Sequence, residues 1–199
     1  AKQDGRNAFR FFSPEMNAHV IERVQMENSL RHALTHGEFV VEYQPEVSIA
    51  SGLVTGVEAL IRWRHPERGL LQPGQFLPVA EDCGLIVPIG EWVLQEACAQ
   101  ARRWRDQGYP VVVAVNLSSA QFFHNNLVAC VDEALQKSGL QPQFLDLEIT
   151  EGIIMTADEA TLGTVDALGQ RGVRLTVDDF GTGFSNLSLL RRVPLSKLK

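Results

Sequence analysis

The sequence contains few residues of the kinds that cross-link a protein or anchor it in a membrane. Its three cysteines, Cys83, Cys98 and Cys130, are far apart and form no C-x-x-C pair. Neither a disulfide framework nor a zinc site is therefore expected. No apolar run reaches the roughly 18 uncharged residues of a membrane helix, and the first residues lack the layout of a signal peptide. We therefore expect a cytoplasmic segment that makes no membrane contact of its own.

Basic charge is also scarce, with 18 Lys and Arg against 24 Asp and Glu and a formal net charge of −6. Because nucleic-acid polymers are bound by basic faces, we expect no such partner. A small anionic ligand is compatible with this balance, since one or two arginines and bound divalent cations would neutralise it locally. The hydrophobic content of 45% is that of an ordinary globular domain.

Apolar, β-branched runs alternate with helical stretches along the chain. An amphipathic helix is predicted over residues 18–36, ending at Gly37. The β-then-α repeat that follows predicts an α/β fold with a parallel sheet. The strand-like runs are 39–43, 54–63, 111–117, 145–149 and 173–177, and the helical stretches are 91–107, 127–138 and 157–171, with an extra short helix near 76–82.

Polar residues mark the ends of successive strands. Asn116, Glu148 and Asp178 are 32 and 30 residues apart, about one β–α unit each. An open sheet and a closed barrel both fit the repeat, but polar side chains at the C-terminal ends of parallel strands favour a TIM-like (β/α) barrel. Such a barrel has eight strands and about 250 residues. We therefore expect it to be incomplete here, with a sixth strand that starts near Lys197 and is cut off after Lys199.

Two of the apolar strands carry carboxylates. Glu58 and Glu148 would be costly to bury unless a metal or another cation compensated them. With Asn116 and Asp178 they form a set of oxygen donors that suits Mg²⁺ or Mn²⁺ better than zinc. The adjacent carboxylates of Asp178 and Asp179 are placed to serve two metals about 3.5–4 Å apart, an arrangement used in phosphoryl chemistry.

Two cationic residues complete the pattern. Arg62 lies four residues beyond Glu58 on the same strand face, roughly 13 Å further at about 3.3 Å per residue, and its planar guanidinium suits bidentate contact with phosphate. Lys199 sits where the sixth strand would enter the same interior, from which a lysine could orient or polarise a metal-bound water. Taken alone, Glu58 would equally fit a structural ion pair with Arg62, and Asn116 a strand-end turn.

Five motifs occur in order along the chain, and together they resemble the EAL family of cyclic di-GMP phosphodiesterases from about Val24 to the C-terminus. A lone E-A-L tripeptide would carry no information, whereas five ordered motifs at suitable spacing are specific. The motifs are Tyr43-Gln44-Pro45, Glu58-Ala59-Leu60 followed by Arg62-Trp63, Val115-Asn116-Leu117-Ser118, Glu148-Ile149-Thr150-Glu151, and Asp178-Asp179-Phe180-Gly181-Thr182-Gly183.

The resemblance implies an enzyme in which two Mg²⁺ or Mn²⁺ ions activate a water that opens cyclic di-GMP to linear pGpG, and which Ca²⁺ inhibits. It implies that Gln44 and Arg62 hold the substrate and that Lys199 contacts the catalytic water. It also implies that Glu151 supports the loop 180–188, which in this family links the metal site to a homodimer interface. One metal would be bound by Glu58, Asn116, Glu148 and Asp178, and the second by Asp178 and Asp179.

The same comparison implies how the chain is organised. Residues 1–17 resemble the end of a GGDEF domain, the cyclic di-GMP synthase module that often precedes an EAL domain. We therefore expect a GGDEF-like tail over 1–17, a connecting helix over 18–36 and an EAL domain over 37–199. The family's late metal-binding glutamate and a glutamine beyond it would follow residue 199, so the fragment itself is expected to be weak or inactive.

Two other functions remain open on the sequence. The first is a receptor that binds cyclic di-GMP without hydrolysing it, and the second is a different (β/α) metallohydrolase. The predicted ligand set is complete as far as the chain extends, which favours the enzyme.

Overall fold

The computed structural model describes residues 14–124, 126–155, 158–178, 181 and 195–199. Helices and strands alternate along most of this length, as the sequence predicts. The strands are β1 (Phe39–Val47), β2 (Val54–His65), β3 (Gly69–Leu71), β4 (Val112–Leu117), β5 (Leu145–Thr150), β6 (Arg174–Asp178) and β7 (Lys197–Leu198). The helices are α1 (Pro14–His36), α2 (Pro73–Asp82), α3 (Ile86–Asp106), α4 (Ser119–Phe122), α5 (Leu127–Ser138), α6 (Glu151–Met155) and α7 (Glu159–Gln170), with a 3₁₀ turn at Pro142–Phe144.

The strands form one sheet in the order β1-β2-β4-β5-β6-β7, with β3 paired to β2. Strands β2, β4, β5, β6 and β7 are parallel neighbours. In the described part of the chain, β1 and β7 are the two ends of this sheet. The architecture is the α/β, TIM-like arrangement expected from the sequence, as an open part of a barrel.

The prediction was wrong for the first strand, which was included in the β-then-α repeat. β1 runs antiparallel to β2, with Gln44 opposite Glu58 in the register. The connection is too short for any other arrangement, because residues 48–53 separate the strands whereas a parallel crossover takes a dozen residues or more. Gly52 has a φ of 68°, a value that glycine adopts without strain and that suits the tight turn.

The side chains of strand β2 show how the two faces of the sheet differ in polarity. Val57, Ala59, Ile61 and Trp63 are buried on the face that packs against the helices. The alternate residues of the strand, Glu58 among them, lie on the opposite face, because successive side chains of a strand point to opposite sides. The hydrophobic core therefore occupies the helix side of the sheet and leaves the concave side to polar groups.

Several helix boundaries differ from the prediction. Helix α1 begins at Pro14 instead of residue 18, and residues 1–13 of the predicted GGDEF-like tail lie outside the described residues. Helix α3 begins at Ile86 instead of residue 91, because Pro88 falls in its first turn, where proline removes no hydrogen bond. Helix α5 has the predicted bounds. In the part of the chain that the structure describes, no helix is long and apolar enough to cross a membrane.

Candidate active site

Polar side chains from four neighbouring strands lie on the concave face, and the first of them is Glu58 of β2. Asn116 of β4 is opposite Glu148 of β5 in the register. Asp178 ends β6, opposite Thr150, and its carboxylate is close enough to contribute to the raised pKa of Glu148. Because parallel strands end at one edge of the sheet, the alternation within each strand is enough to bring these groups to one place.

The side chains are also in direct contact. Asn116 donates a hydrogen bond from Nδ2 to Glu58 Oε1 at 2.8 Å. The Nζ atom of Lys199 donates to Glu58 Oε2 at 2.9 Å and lies 3.1 Å from both carboxylate oxygens of Glu148. The structure thus brings together Glu58, Asn116, Glu148 and Lys199, which the sequence places in one common interior.

Burial and charge act in opposite directions at these groups. Glu148 is 1% exposed, and its burial raises the pKa of the carboxyl even though Lys199 opposes the shift. Burial also acts to raise the pKa of Glu58, but hydrogen bonds from Lys199 and Asn116 hold it below its ordinary value. Burial acts to lower the pKa of Lys199, and the two carboxylates more than offset this, so the ammonium stays charged. The cluster holds two carboxylates and one cation.

The predicted substrate residues lie along the hairpin of β1 and β2. Gln44 is exposed and stands opposite Glu58. The Nε atom of Arg62 lies 2.9 Å from Glu42 Oε2, in an ion pair whose arginine side chain is 12% exposed. Sequence reasoning missed Glu42, although its spacing from Gln44 puts both on one face of a strand. The guanidinium is therefore paired with a carboxylate, and its Nη1 donates a hydrogen bond of 2.9 Å to the backbone oxygen of Ile61.

A second glutamate of β1, Glu46, was also missed. Both of its carboxylate oxygens lie 3.1 Å from Lys197 Nζ, and its Oε1 lies 4.0 Å from Lys199 Nζ. Glu46 and Lys197 are 151 residues apart and belong to the first and last strands of the sheet. The alternation of Glu42, Gln44 and Glu46 along β1 predicts that Glu46 shares a face with the other two. Its lysine partners could not be predicted in this way, because they lie far away along the chain.

Glu151 begins α6, directly after β5, and is buried. Its Oε2 accepts a hydrogen bond of 3.0 Å from the backbone N–H of Gly181. The side chain therefore connects the end of β5 to the segment that follows β6. Asp179 and the predicted loop 180–188, apart from Gly181, lie outside the described residues.

The chemistry of the donors fits a divalent cation of the Mg²⁺ type, because Glu58, Asn116, Glu148 and Asp178 all offer oxygen atoms. Within the described ranges, however, no three His, Cys, Asp or Glu side chains are grouped as a ready-made metal site. In the described residues, the ammonium of Lys199 lies between the carboxylates of Glu58 and Glu148. The oxygen donors suit a divalent cation, but the Lys199 ammonium lies where such a cation would bind between Glu58 and Glu148.

This combination of fold and site defines a class of protein. Residues 27–199 match the model of the EAL domain, and the chain belongs to that family.

Among its relatives is the bifunctional diguanylate cyclase/cyclic di-GMP phosphodiesterase MucR of Pseudomonas aeruginosa, 50% identical over 200 residues, which cover 100% of this chain and 29% of that protein. The cyclic di-GMP phosphodiesterase PdeR of Escherichia coli is 40% identical over 199 residues, covering 100% of this chain and 30% of that protein. A solved structure described as PaMucR phosphodiesterase in complex with c-di-GMP has a TM-score of 0.84 and 50% identity, covering 87% of this chain and 71% of that chain. The chain thus spans less than a third of these two curated relatives.

Proposed function

We propose that this chain carries the active site of a metal-dependent phosphodiesterase that hydrolyses cyclic di-GMP to linear pGpG. The observation that carries the proposal is the contact of Glu58, Asn116, Glu148 and Lys199 on one face of the parallel strands. Further support comes from family membership and from a solved relative, 50% identical, that is described as a complex with c-di-GMP.

Four oxygen-bearing residues would hold one Mg²⁺ or Mn²⁺ ion, namely Glu58, Asn116, Glu148 and Asp178, and a second ion would be held by Asp178 and Asp179. Bound in this way, the ions would supply an activated water and neutralise charge on the phosphate. Ca²⁺ accepts the same oxygen ligands in a looser geometry, and we expect it to bind and inhibit.

The chain's own residues would bind and orient the substrate. Arg62 is held by Glu42 with its planar guanidinium on the concave face, where it can contact phosphate oxygens. Gln44 is exposed beside Glu58 and can donate a hydrogen bond to the substrate. Lys199 would keep a water or a carboxylate oriented, and Glu151 would fix the segment around Gly181 through their hydrogen bond.

An apolar cavity of about 250 Å³ lies beside these residues and suits the flat face of a guanine base. It is bordered by Leu60 of β2, Leu77 of α2 and Ile86 of α3, and Asn116 closes one side. Asn116 borders the cavity and also bonds Glu58, so a base in the cavity would lie next to the polar cluster. The cavity is therefore the proposed site of one base.

We also propose that the parent protein is organised as the family resemblance implies. Residues 1–17 would end a GGDEF-like domain, 18–36 would connect it and 37–199 would belong to the EAL domain. A relative that covers this whole chain is a bifunctional cyclase and phosphodiesterase of which the match spans 29%, which leaves room for such a domain. A cytoplasmic location and a homodimer are part of the same proposal.

The test is hydrolysis of cyclic di-GMP in Mg²⁺ or Mn²⁺, measured as pGpG, with this chain and with a version that extends beyond residue 199. Glu58→Ala removes a site carboxylate, and Glu67→Ala removes an exposed one as the matched control. We expect turnover by the extended protein that Glu58→Ala abolishes and Glu67→Ala leaves intact. Tight binding without cleavage would establish a receptor instead, and faster turnover of bis(p-nitrophenyl) phosphate would establish a different metallohydrolase.

A further inference from the structure

The feature that carries the inference is a chain of alternating charges across the concave face. Glu46 contacts Lys197 through both carboxylate oxygens at 3.1 Å. It also lies 4.0 Å from Lys199, whose ammonium contacts Glu58 and Glu148 at 2.9 and 3.1 Å. Among the described residues, Lys199 therefore has three carboxylates within 4.0 Å, and Glu46 is the one outside the proposed metal set.

The fold builds the position of Glu46. In the register of β1 and β2, Glu46 is opposite Gly56. A Cβ atom added at Gly56 would come within 3.2 Å of Glu46 Oε2 and 3.3 Å of the Val112 backbone oxygen. The missing side chain of Gly56 therefore leaves the space in which the Glu46 carboxylate lies.

A conflict in the cluster gives Glu46 its role. The ammonium of Lys199 bridges Glu58 and Glu148. A divalent cation bound by both carboxylates would therefore occupy the position of this ammonium. A cation and an ammonium also repel each other at such distances. The lysine must then release at least one carboxylate, and its partly exposed ammonium has another carboxylate, that of Glu46, 4.0 Å away.

We propose that Glu46 is a positioning residue that receives the Lys199 ammonium when divalent cations occupy Glu58 and Glu148. The inference rests on the proposed function, because it presumes that these carboxylates bind metal. Glu46 keeps Lys199 beside the site instead of letting it turn to solvent. Lys197 competes with Lys199 for the same carboxylate and holds that carboxylate in place until the transfer.

The test is a double-mutant cycle on Mn²⁺ affinity, measured by isothermal titration calorimetry without substrate. Glu46→Gln should raise the Kd for Mn²⁺ about fivefold in the unmodified chain, but by less than about twofold in a Lys199→Met background, where no ammonium has to move. Glu46→Asp keeps the negative charge, but its shorter side chain places the carboxylate farther from Lys199. It should therefore weaken Mn²⁺ binding as Glu46→Gln does. Glu67→Gln removes an equal charge from an exposed position outside the site and should change the Kd by less than about twofold.

The outcomes separate the inference from the proposed function. Equal effects of Glu46→Gln in the two backgrounds, or an unchanged Kd in Glu46→Asp, would overturn the role of Glu46 and leave the metal site standing. Failure of the unmodified chain to bind Mn²⁺ would overturn both. Thermal melts in EDTA should show that the Glu46 variants remain folded, because Glu46 and Lys197 are both partly exposed and such pairs contribute little stability. Lys199→Met removes the counter-charge of the buried Glu148 and should lower the melting temperature, so titrations in that background are made below its transition.

Discussion

Trp63 donates a hydrogen bond of 2.9 Å from its indole Nε1 to Glu38 Oε2, and this contact joins the end of α1 to the strand that carries Glu58 and Arg62. The other carboxylate oxygen of Glu38 lies 3.0 Å from His32 Nδ1 of α1. The Trp63 side chain is fully buried, so its N–H needs this partner. A movement of α1 would therefore shift Trp63, which is the residue next to Arg62, the predicted phosphate-binding arginine.

Replacing Glu38 by Gln tests the contact between Glu38 and Trp63 through the pH dependence of the free energy of unfolding. The Trp63 bond is the largest cause that lowers the pKa of Glu38 below its ordinary 4.5. A lowered carboxyl pKa contributes stability that is present above the unfolded-state pKa and is lost as the pH falls through the folded-state value. Glu38→Gln should cost about 1 kcal/mol of unfolding free energy at pH 7, and the difference should shrink below about pH 4.5. Urea unfolding at several pH values measures it, and a difference that stays constant down to pH 3.5 would contradict the account.

Gly90→Ala should destabilise the chain and disturb Asn116. A Cβ atom at Gly90 would overlap the side-chain amide of Gln121, which is buried. That amide oxygen accepts hydrogen bonds from the backbone N–H and the hydroxyl of Ser118, two residues after Asn116. The overlap should cost about 1–3 kcal/mol, measured by thermal unfolding.

Gly163→Ala is the matched control, because Gly163 also lies inside a helix but has nothing within 4 Å of an added Cβ. Alanine there should stabilise the chain by about 0.5–1 kcal/mol through helix propensity. Equal destabilisation by both alanines would show that the Gln121 contact is not the cause.

Glu148→Gln tests the metal site without an activity assay. Mn²⁺ should raise the melting temperature of the unmodified chain, because a ligand that binds only the folded state stabilises it. The variant keeps the shape of a side chain that is 1% exposed, so it should fold, but it should lose most of this shift. Its melting temperature in EDTA is the control. A full Mn²⁺ shift in the variant would remove Glu148 from the metal set.

Arg62→Lys should weaken binding of cyclic di-GMP about tenfold, because a lysine cannot reproduce the planar fork that grips two phosphate oxygens. Titration calorimetry in Ca²⁺, where hydrolysis is not expected, measures the affinity. Arg64→Lys is the matched control, since Arg64 is exposed on the same strand two residues further along. Equal losses in both variants would point to general charge instead of a specific contact.

The parts of the site that repeat with the strands could be predicted from the sequence. Glu58, Asn116 and Glu148 recur at strand positions whose alternation fixes the face, so their convergence follows from the β-then-α repeat. The direction of β1 was missed because the repeat was extended to it, although its six-residue connection to β2 argued for a hairpin. Glu46 with Lys197 could not be predicted, because their meeting depends on how the whole sheet curves and no local pattern records that.

The contact between Lys199 and Glu58, 141 residues apart, also bears on how the protein is made. Contacts so distant along the chain form late, because closing a long loop costs entropy before the contact repays it. During synthesis, β2 and its hairpin partner leave the ribosome long before Lys199 does, and domains fold from the N-terminal side as the chain emerges. Until Lys199 arrives, the carboxylates of Glu58 and Glu148 lie near each other without its ammonium, so we expect the nascent chain to attract cations at this position.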